Sequence, residues 1–278
     1  MDETAFRLEN AEGYPIRGNV TMAAPEATAV VCLHGFKGFK DWGFWPETAR
    51  RLAAAGHAAV RFNFSHSGVG EDGETFSDPQ LFETGTYSRE VEDLRTVLAE
   101  LAQGRLPGAS GFRPRRVGLL AHSRGAVSAL VAGASSEVPV SSVALWNPVA
   151  SALWWDEATR AGWREKGYWE VVNARTGQRF RVSTALLEDA ETNAPFLDPV
   201  GNAARLAAPL LVVVAAEDEA VSSAAGRRLA TAAALGTLVE MPGTGHTFGM
   251  THPPGTPTPA WESALGATLL HFSATLGG

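Results

Sequence analysis

The sequence is poor in cysteine and in histidine patterns that bind metals. Its one cysteine, Cys32, lies in the apolar run 29–33 and has no second thiol with which to form an intramolecular disulfide. We therefore expect a small buried side chain there, and nothing in the sequence indicates an oxidising compartment. Since no paired cysteines and no His-x-x-x-His pattern on a helix occur, we expect neither a metal site nor a cofactor.

The sequence also lacks long apolar runs and clustered charge. No window approaches about 18 uninterrupted apolar residues, so no membrane-spanning segment is expected. The net charge of -7 argues against partners such as nucleic acid or an anionic membrane surface. The acidic start Met1-Asp2-Glu3 lacks the basic and apolar regions of a signal peptide, and we therefore expect a cytoplasmic protein.

What the sequence does contain is a regular alternation of apolar runs and amphipathic stretches. A hairpin is predicted at residues 5–8 and 16–22. Strands are predicted at 29–34, 58–64, 117–121, 142–146, 210–216 and 237–241, and those at 29–34 and 117–121 are expected to be buried. Helices are predicted at 45–55, 87–103, 126–134, 222–235 and 261–276. Such alternation predicts the α/β class, with a mainly parallel sheet covered by helices on both faces.

The alternation stops after Asn147-Pro148, where tryptophan and polar residues become frequent. We interpret residues 148–206 as a small cap inserted into a core formed by residues 1–147 and 207–278. Within the insertion, residues 168–173 and 179–183 flank a glycine-containing turn and predict a short hairpin.

A serine stands between a predicted strand and a predicted helix in Ala121-His122-Ser123-Arg124-Gly125. A sharp bend at this point carries the serine Oγ beyond the end of the strand, with the N-terminus of the helix behind it. The pattern is that of the G-x-S-x-G nucleophile motif with alanine in place of the first glycine. We therefore expect Ser123 to be a nucleophile in acyl transfer.

A serine nucleophile needs a base and a group that orients the base. His246 lies in a glycine-rich loop directly after a predicted strand, and Asp218 directly follows another. The chain order Ser, Asp, His is the one expected in this type of hydrolase. Glu217 and Glu219 are close rivals for the acid. Asp218 is preferred because Asp218-Glu219-Ala220-Val221 resembles the Asp-x-x-Val pattern that precedes the following helix in such enzymes.

Other histidines are weaker candidates for the base. His252 lies in a proline-rich loop, and His271 falls inside the last predicted helix. His122, next to the serine, is expected to pack at the bend rather than to take its proton.

An oxyanion intermediate requires backbone N–H donors. The N–H of Arg124, at the head of the helix, is one expected donor. The loop after the strand 29–33 reads His34-Gly35-Phe36, where the glycine permits close approach and the Phe36 N–H is the second expected donor.

Together, His34-Gly35-Phe36, the motif at 121–125, Asp218 and His246 resemble the α/β-hydrolase superfamily. Within it the sequence is most similar to small bacterial serine esterases and acyl hydrolases of the dienelactone-hydrolase and cinnamoyl-esterase type. The resemblance covers nearly the whole chain apart from the insertion, and Ala121 is its one departure. It implies an eight-stranded sheet, a cap between the sixth and seventh core strands, and the nucleophile, base, acid and oxyanion roles given above.

These residues favour a cofactor-free serine hydrolase that cleaves carboxylic esters through an acyl-enzyme on Ser123. The alternatives are a peptidase or amidase of the same fold and a catalytically silent binding protein. We expect a small-molecule ester as the partner, apolar or aromatic, with contacts from His34, Trp154 and Trp155. A further hypothesis is that four side chains form a positively charged rim that favours an acidic substrate, namely Lys37, Lys40, His66 and Arg124. The oligomeric state stays open.

Overall fold

An eight-stranded sheet organises residues 2–23 and 28–277, the part of the chain that this computed structural model describes. The strands are β1 (Asp2–Glu9), β2 (Pro15–Met22), β3 (Thr28–Leu33), β4 (His57–Asn63), β5 (Arg116–His122), β6 (Val140–Trp146), β7 (Tyr168–Val172), β8 (Arg179–Ser183), β9 (Leu210–Ala215) and β10 (Gly236–Met241). The strand order in the sheet is β1-β2-β4-β3-β5-β6-β9-β10, while β7 and β8 form a separate hairpin. Met1 and Gly278, the outer limits of the predicted core, lie outside the described residues.

The sheet is mainly parallel, as the sequence predicts. β1 and β2 pair antiparallel with each other, and β2 pairs antiparallel with β4, whereas the other neighbours pair parallel. Strands β3, β4 and β9 are buried along their whole length, because helices cover both faces of the sheet. The prediction of the α/β class is therefore confirmed.

Ten helices surround the strands in the described part of the chain. They are α1 (Trp45–Ala54), α2 (Pro79–Glu83), α3 (Tyr87–Ala102), α4 (Gly125–Ser135), α5 (Glu157–Lys166), α6 (Thr184–Thr192), α7 (Ala194–Leu197), α8 (Pro199–Arg205), α9 (Ser223–Ala232) and α10 (Pro259–Leu276). Helices α3, α4 and α9 pack on one face of the sheet, and α1 and α10 pack on the other. None of these helices is long and apolar enough to cross a bilayer.

Cys32 points into the second of these faces and is buried, as expected. Burial raises the pKa of its thiol to about 12, so the side chain is a neutral, unreactive part of the core.

The segment between β6 and β9 carries the predicted hairpin, β7 and β8, with Gly177 in the turn at a φ of 72°. It also carries the helices α5 to α8, which the sequence reading did not foresee. Helix α5 buries only Trp163, so it shows little of the apolar periodicity on which such a prediction depends. Its N-terminus is instead fixed by Asp156, whose carboxylate accepts the Thr159 N–H at 2.7 Å. The division of the chain at residues 148 and 206 stays a prediction.

Two glycines in helices have opposite surroundings and predict opposite effects on stability. In α9, a Cβ at Gly226 would stand 2.2 Å from Val214 Cγ1, because the helix packs closely on β9. In α10, a Cβ at Gly266 would meet no atom within 4 Å. We expect Gly226→Ala to lower the free energy of unfolding by ~1–3 kcal/mol through overpacking. Gly266→Ala should raise it by ~0.5–1 kcal/mol through helix propensity.

Urea unfolding of the two variants beside the wild-type protein measures both effects. Equal shifts for the two substitutions would contradict the close contact between α9 and β9.

Candidate active site

Ser123 lies at a sharp bend between β5 and α4. Its φ of 55° is in the left-handed region that a non-glycine residue rarely adopts, so the surrounding structure must hold it there. The Ser123 N–H donates to the Trp146 carbonyl at 2.9 Å, and the Ser123 carbonyl accepts the Ala126 N–H at 3.2 Å. Ala121, in the position of the missing glycine, is fully buried in β5 between Leu33 and Leu145, so its methyl group is accommodated in the core.

Gly125 explains why α4 approaches the neighbouring strand so closely. A Cβ at Gly125 would stand 2.7 Å from the His34 carbonyl oxygen and 3.0 Å from that of Leu33. Only glycine leaves room for the first turn of α4 to lie against the end of β3, which brings the loop after β3 beside Ser123.

A chain of two hydrogen bonds joins the three residues that the sequence singled out. The distance from His246 Nε2 to Ser123 Oγ is 3.0 Å, and that from His246 Nδ1 to Asp218 Oδ2 is 2.7 Å. With Nδ1 protonated and bonded to the carboxylate, Nε2 is free to accept the serine proton. The arrangement can therefore raise the nucleophilicity of the Ser123 hydroxyl.

Asp218 is held by the turn that precedes α9. One of its oxygens accepts the N–H groups of Ala220 and Val221 at 2.8 and 2.9 Å, and its side chain is 1% exposed. Burial acts to raise the pKa of Asp218, but the hydrogen bonds from His246 and from these N–H groups outweigh it. The pKa consequently lies below the usual value, and the carboxylate stays ionised.

The rival acids lie elsewhere. Glu217 accepts the Gly243 N–H at 3.0 Å and so braces the loop that carries His246, and Glu219 is exposed. The other histidines are also engaged away from Ser123. His252 Nδ1 accepts the Gly43 N–H at 3.1 Å, and His271 Nε2 lies 2.9 Å from Ser142 Oγ.

The backbone of His246 has an anchor that the sequence reading missed. Its carbonyl oxygen accepts two hydrogen bonds, from His122 Nε2 at 2.9 Å and from Asn147 Nδ2 at 2.8 Å. Asn147 also accepts the Ala215 N–H at 2.7 Å and has a φ of 46°, which asparagine tolerates better than most residues. The anchor thus ties the loop after β10 to the ends of β5, β6 and β9.

His122 is suited to a permanent donor role. It is buried against the ring of His246, with ring centroids 4.7 Å apart. Burial, with the nearby His246 as a smaller cause, lowers the pKa of His122 to about 3. The ring is therefore neutral around pH 7, and its Nε2–H donates to the His246 carbonyl.

The loop after β3 lies directly against Ser123. A Cβ at Gly35 would stand 2.9 Å from Ser123 Cβ and 3.4 Å from its Oγ, so glycine is required for this approach. Neither the Phe36 N–H nor the Arg124 N–H donates to a backbone or side-chain acceptor within residues 2–23 and 28–277. These are the two N–H groups that the sequence reading expects to face an oxyanion.

His34 does not take the place expected of it. We expected a substrate contact, but both ring nitrogens are occupied: Nδ1–H donates to the Gly35 carbonyl at 2.9 Å, and Nε2 accepts the Phe64 N–H at 3.3 Å. Burial lowers the pKa of His34 to about 4. The side chain braces the loop from behind and is not part of the wall of the cavity above Ser123.

That cavity has a volume of about 490 Å³, and Ser123 and His246 lie in its wall. Trp154 and Trp155, both expected at the substrate, line it as a stacked pair with ring centroids 4.6 Å apart. Trp154 is 53% exposed, whereas Trp155 is buried against Trp163. Cavities of this size with mainly apolar walls are typical of small-molecule sites.

The charged side chains in the wall of the cavity are all cationic: Lys37, Arg124 and Arg228. Of the four residues expected to form a positive rim, Lys37 and Arg124 are therefore present, whereas Lys40 pairs with Asp41 and His66 bonds to Ser65.

Arg124 is buried beneath the cavity, where its guanidinium lies 2.9 Å from Glu90 and over the ring of Tyr87. Burial raises the pKa of Glu90 to about 7, although Arg124 opposes the shift. No group of three or more potential metal ligands exists among the residues that the structure describes.

Comparisons with known proteins agree with this framework. The model of the alpha/beta hydrolase family matches residues 30–256. The alpha/beta hydrolase GrgF from Penicillium sp. sh18 superposes with a TM-score of 0.76 at 15% sequence identity, with 100% of both chains covered. Est1E from Butyrivibrio proteoclasticus, solved with bound ferulic acid, has a TM-score of 0.69 at 17% identity, covering 96% of this chain and 99% of its own.

A dienelactone hydrolase from Anabaena variabilis ATCC 29413 has a TM-score of 0.62 at 16% identity, covering 99% of this chain and 98% of its own. A search of the curated proteins finds no match. At such identities the likeness shows the fold, which is the alpha/beta-hydrolase fold with a largely parallel eight-stranded sheet.

The anchor of the His246 loop predicts a role for His122 as a positioning residue. His122→Phe keeps the ring but removes the donor, so the rate of Ser123 modification by a fluorophosphonate should fall by about tenfold to a hundredfold. The fall should appear in the maximal rate and not in the concentration dependence, because the reagent's binding surface is unchanged. His122→Gln, which retains a donor, should recover most of the rate, and thermal unfolding shows whether each variant is folded. Equal losses in the two variants at unchanged stability would contradict the positioning role.

Proposed function

Because the chain belongs to the alpha/beta hydrolase family, we propose that it is a serine hydrolase that cleaves carboxylic esters through an acyl-enzyme on Ser123. The observation that carries the proposal is the hydrogen-bond chain from Ser123 Oγ through His246 to Asp218, with distances of 3.0 and 2.7 Å. A strained serine at a strand–helix bend, a base in hydrogen-bond reach and an ionised acid behind it are the components of acyl transfer.

In the proposed first step, Ser123 Oγ attacks the carbonyl carbon of the ester while His246 Nε2 takes the hydroxyl proton. The carbonyl oxygen becomes an oxyanion, to which the N–H groups of Phe36 and Arg124 donate. Asp218 stabilises the imidazolium that forms and holds its ring orientation. His246 then gives the proton to the leaving alkoxide as the carbon–oxygen bond breaks.

In the second step, a water molecule attacks the acyl-enzyme, and His246 takes its proton. Collapse of the second tetrahedral intermediate breaks the bond to Ser123 Oγ, which regains a proton from His246, and the carboxylic acid leaves. No cofactor or metal takes part in this proposal. His122 and Asn147 act through the carbonyl of His246 and are positioning residues.

The cavity wall supports esters with an apolar or aromatic group. Trp154 and Trp155 form a stacked pair in this wall, and the ring of Phe36 stacks on Trp169 at 6.1 Å. Planar groups gain contact area from such surfaces. In the fold relative Est1E the bound molecule is ferulic acid, an aromatic acid, which agrees in kind with such a wall.

Residues 148–206 act as a cap in this proposal. They supply both tryptophans of the cavity wall. They also contact the loop after β3, because Lys37 Nζ donates a hydrogen bond to the Val172 carbonyl at 3.1 Å. Substrate selection therefore depends on the insertion, whereas the chemistry depends on the strand ends.

The proposal predicts covalent labelling that depends on one hydroxyl. A fluorophosphonate probe should label the wild-type protein, whereas Ser123→Ala should give no adduct by intact-protein mass spectrometry. His246→Ala should lower the kcat for short-chain p-nitrophenyl esters by about four to six orders of magnitude, as triad losses do. If the wild-type protein neither reacts with the probe nor hydrolyses esters, the proposed function is wrong, and the alternative of a catalytically silent binding protein is favoured. Faster turnover of aminoacyl amides than of matched esters would favour the peptidase alternative.

The tryptophan wall predicts a selective effect of Trp154→Ala. Because the Trp154 ring is 53% exposed, its removal should alter the cavity while leaving stability nearly unchanged. We expect kcat/KM for an aromatic acyl ester such as methyl ferulate to fall by about fivefold to tenfold relative to that for p-nitrophenyl acetate, the value of one lost stacking contact. Trp42→Ala, outside the cavity wall, is the control, and equal selectivity in both variants would contradict the aromatic site.

A further inference from the structure

The charge of the cavity is opposite to that of the molecule. The whole chain has a net charge of -7, with 30 acidic side chains. Nevertheless, none of the residues that line the cavity above Ser123 is acidic, and three of them are cationic. A concave, largely apolar wall strengthens the field of a buried charge such as that of Arg124, whereas Arg228 is exposed to solvent.

Arg228 is a cation of the cavity wall whose side chain is exposed to solvent. It lies on α9, beside Ala225, Val221 and Ser222 in the cavity wall. In the described part of the chain no carboxylate lies within ion-pair distance of its guanidinium, and no hydrogen bond engages it. An arginine held in a cavity without an acidic partner is free to bind an anionic group of a ligand.

The preceding residue provides a contrast on the same helix. Arg227 places its guanidinium 2.6 and 2.7 Å from the two carboxylate oxygens of Glu240, on β10, and takes no part in the cavity wall. Its charge is therefore satisfied within the fold. Two neighbouring arginines thus have different surroundings, one paired at the sheet edge and one unpaired at the cavity.

A second cation reaches the cavity from the opposite element. Lys37 lies in the loop after β3, and its ammonium also has no acidic partner among the described residues. It donates one hydrogen bond to the Val172 carbonyl, which leaves two N–H donors for a ligand. Burial lowers the pKa of Lys37, and an anion bound beside the ammonium would raise that pKa again. Arg124 adds to the field, although its side chain is already paired with Glu90.

From this arrangement we infer that the cavity takes esters that carry a second, free carboxylate, which the guanidinium of Arg228 binds. The inference rests on the proposed ester hydrolysis and names its substrate class. A carboxylate offers two oxygens to the planar fork of the guanidinium. The apolar wall between Arg228 and Ser123 accommodates a hydrocarbon spacer, so half-esters of dicarboxylic acids are the simplest members of the class.

Matched pairs of substrates test the inference. The monomethyl esters of succinic, adipic and suberic acid are compared with methyl butyrate, methyl hexanoate and methyl octanoate, with methanol release as the assay. For at least one chain length, the ratio of kcat/KM for the half-ester to that for the neutral ester should exceed about ten. This ratio should fall as salt is added, because the field of the cavity is screened.

Variants of the two arginines distinguish direct binding of the carboxylate by Arg228 from a general effect of positive charge on α9. Arg228→Gln should lower the ratio by about tenfold, the value of one charge-assisted contact. Arg227→Gln removes the same charge one residue away and should leave the ratio unchanged. A wild-type ratio of one or less at every chain length would overturn the inference, as would equal effects of the two substitutions. If the neutral esters are hydrolysed, neither of these two outcomes contradicts the proposed ester hydrolysis.

A binding measurement tests the inference without turnover. Ser123→Ala should bind monomethyl adipate about tenfold more tightly than dimethyl adipate in calorimetric titrations, and Arg228→Gln in that background should abolish the difference. If the wild-type protein hydrolyses no ester yet this preference is found, the binding site stands and the proposed function fails. Equal affinities for the two adipates would overturn the inference.

Discussion

The geometry around Ser123 depends on how one carbonyl group is held. The carbonyl oxygen of His246 receives hydrogen bonds from His122, at the end of β5, and from Asn147, at the end of β6. The loop after β10 is thereby fixed to the end of β5, which leads into the bend at Ser123, and to the end of the neighbouring strand β6. Without this attachment, the imidazole would rest only on its bonds to Ser123 and Asp218, both made through side chains that rotate. The sheet supplies the rigidity that an activated hydroxyl requires.

Most of the architecture was readable in the sequence because its strands are simple. Runs such as 29–33 and 210–215 are buried on both faces and therefore apolar throughout, a pattern typical of strands in a parallel sheet covered by helices. The helices α5 to α8 were missed for the opposite reason. They are short, they bury few residues each, and the aromatic cluster that stabilises them joins distant segments, such as Phe76 with Phe180. The spacing of apolar residues within one helix does not indicate contacts between distant segments.

At the site, the sequence predicted which residues approach one another but not what supports them. Strand ends meet at one edge of a parallel sheet, so Ser123, Asp218 and His246 could be grouped from their positions alone. The role of Asn147 was hidden because its three hydrogen bonds join it to segments distant in the sequence, namely to Val213 and Ala215 on β9 and to His246 in the loop after β10. The orientation of His34 could not be predicted, because a polar residue in such a loop faces either a ligand or the backbone behind it. Only the positions of Gly35 and Phe64 decide between the two.

The attachment of the His246 loop has an evolutionary consequence. Both donors bind the main chain of residue 246, so the loop keeps its place whichever side chain that residue carries. Under the proposed function, a single codon change at residue 246 therefore removes the base while leaving the fold, the cavity and its charges intact. The same framework then keeps the cavity as a binding site without turnover.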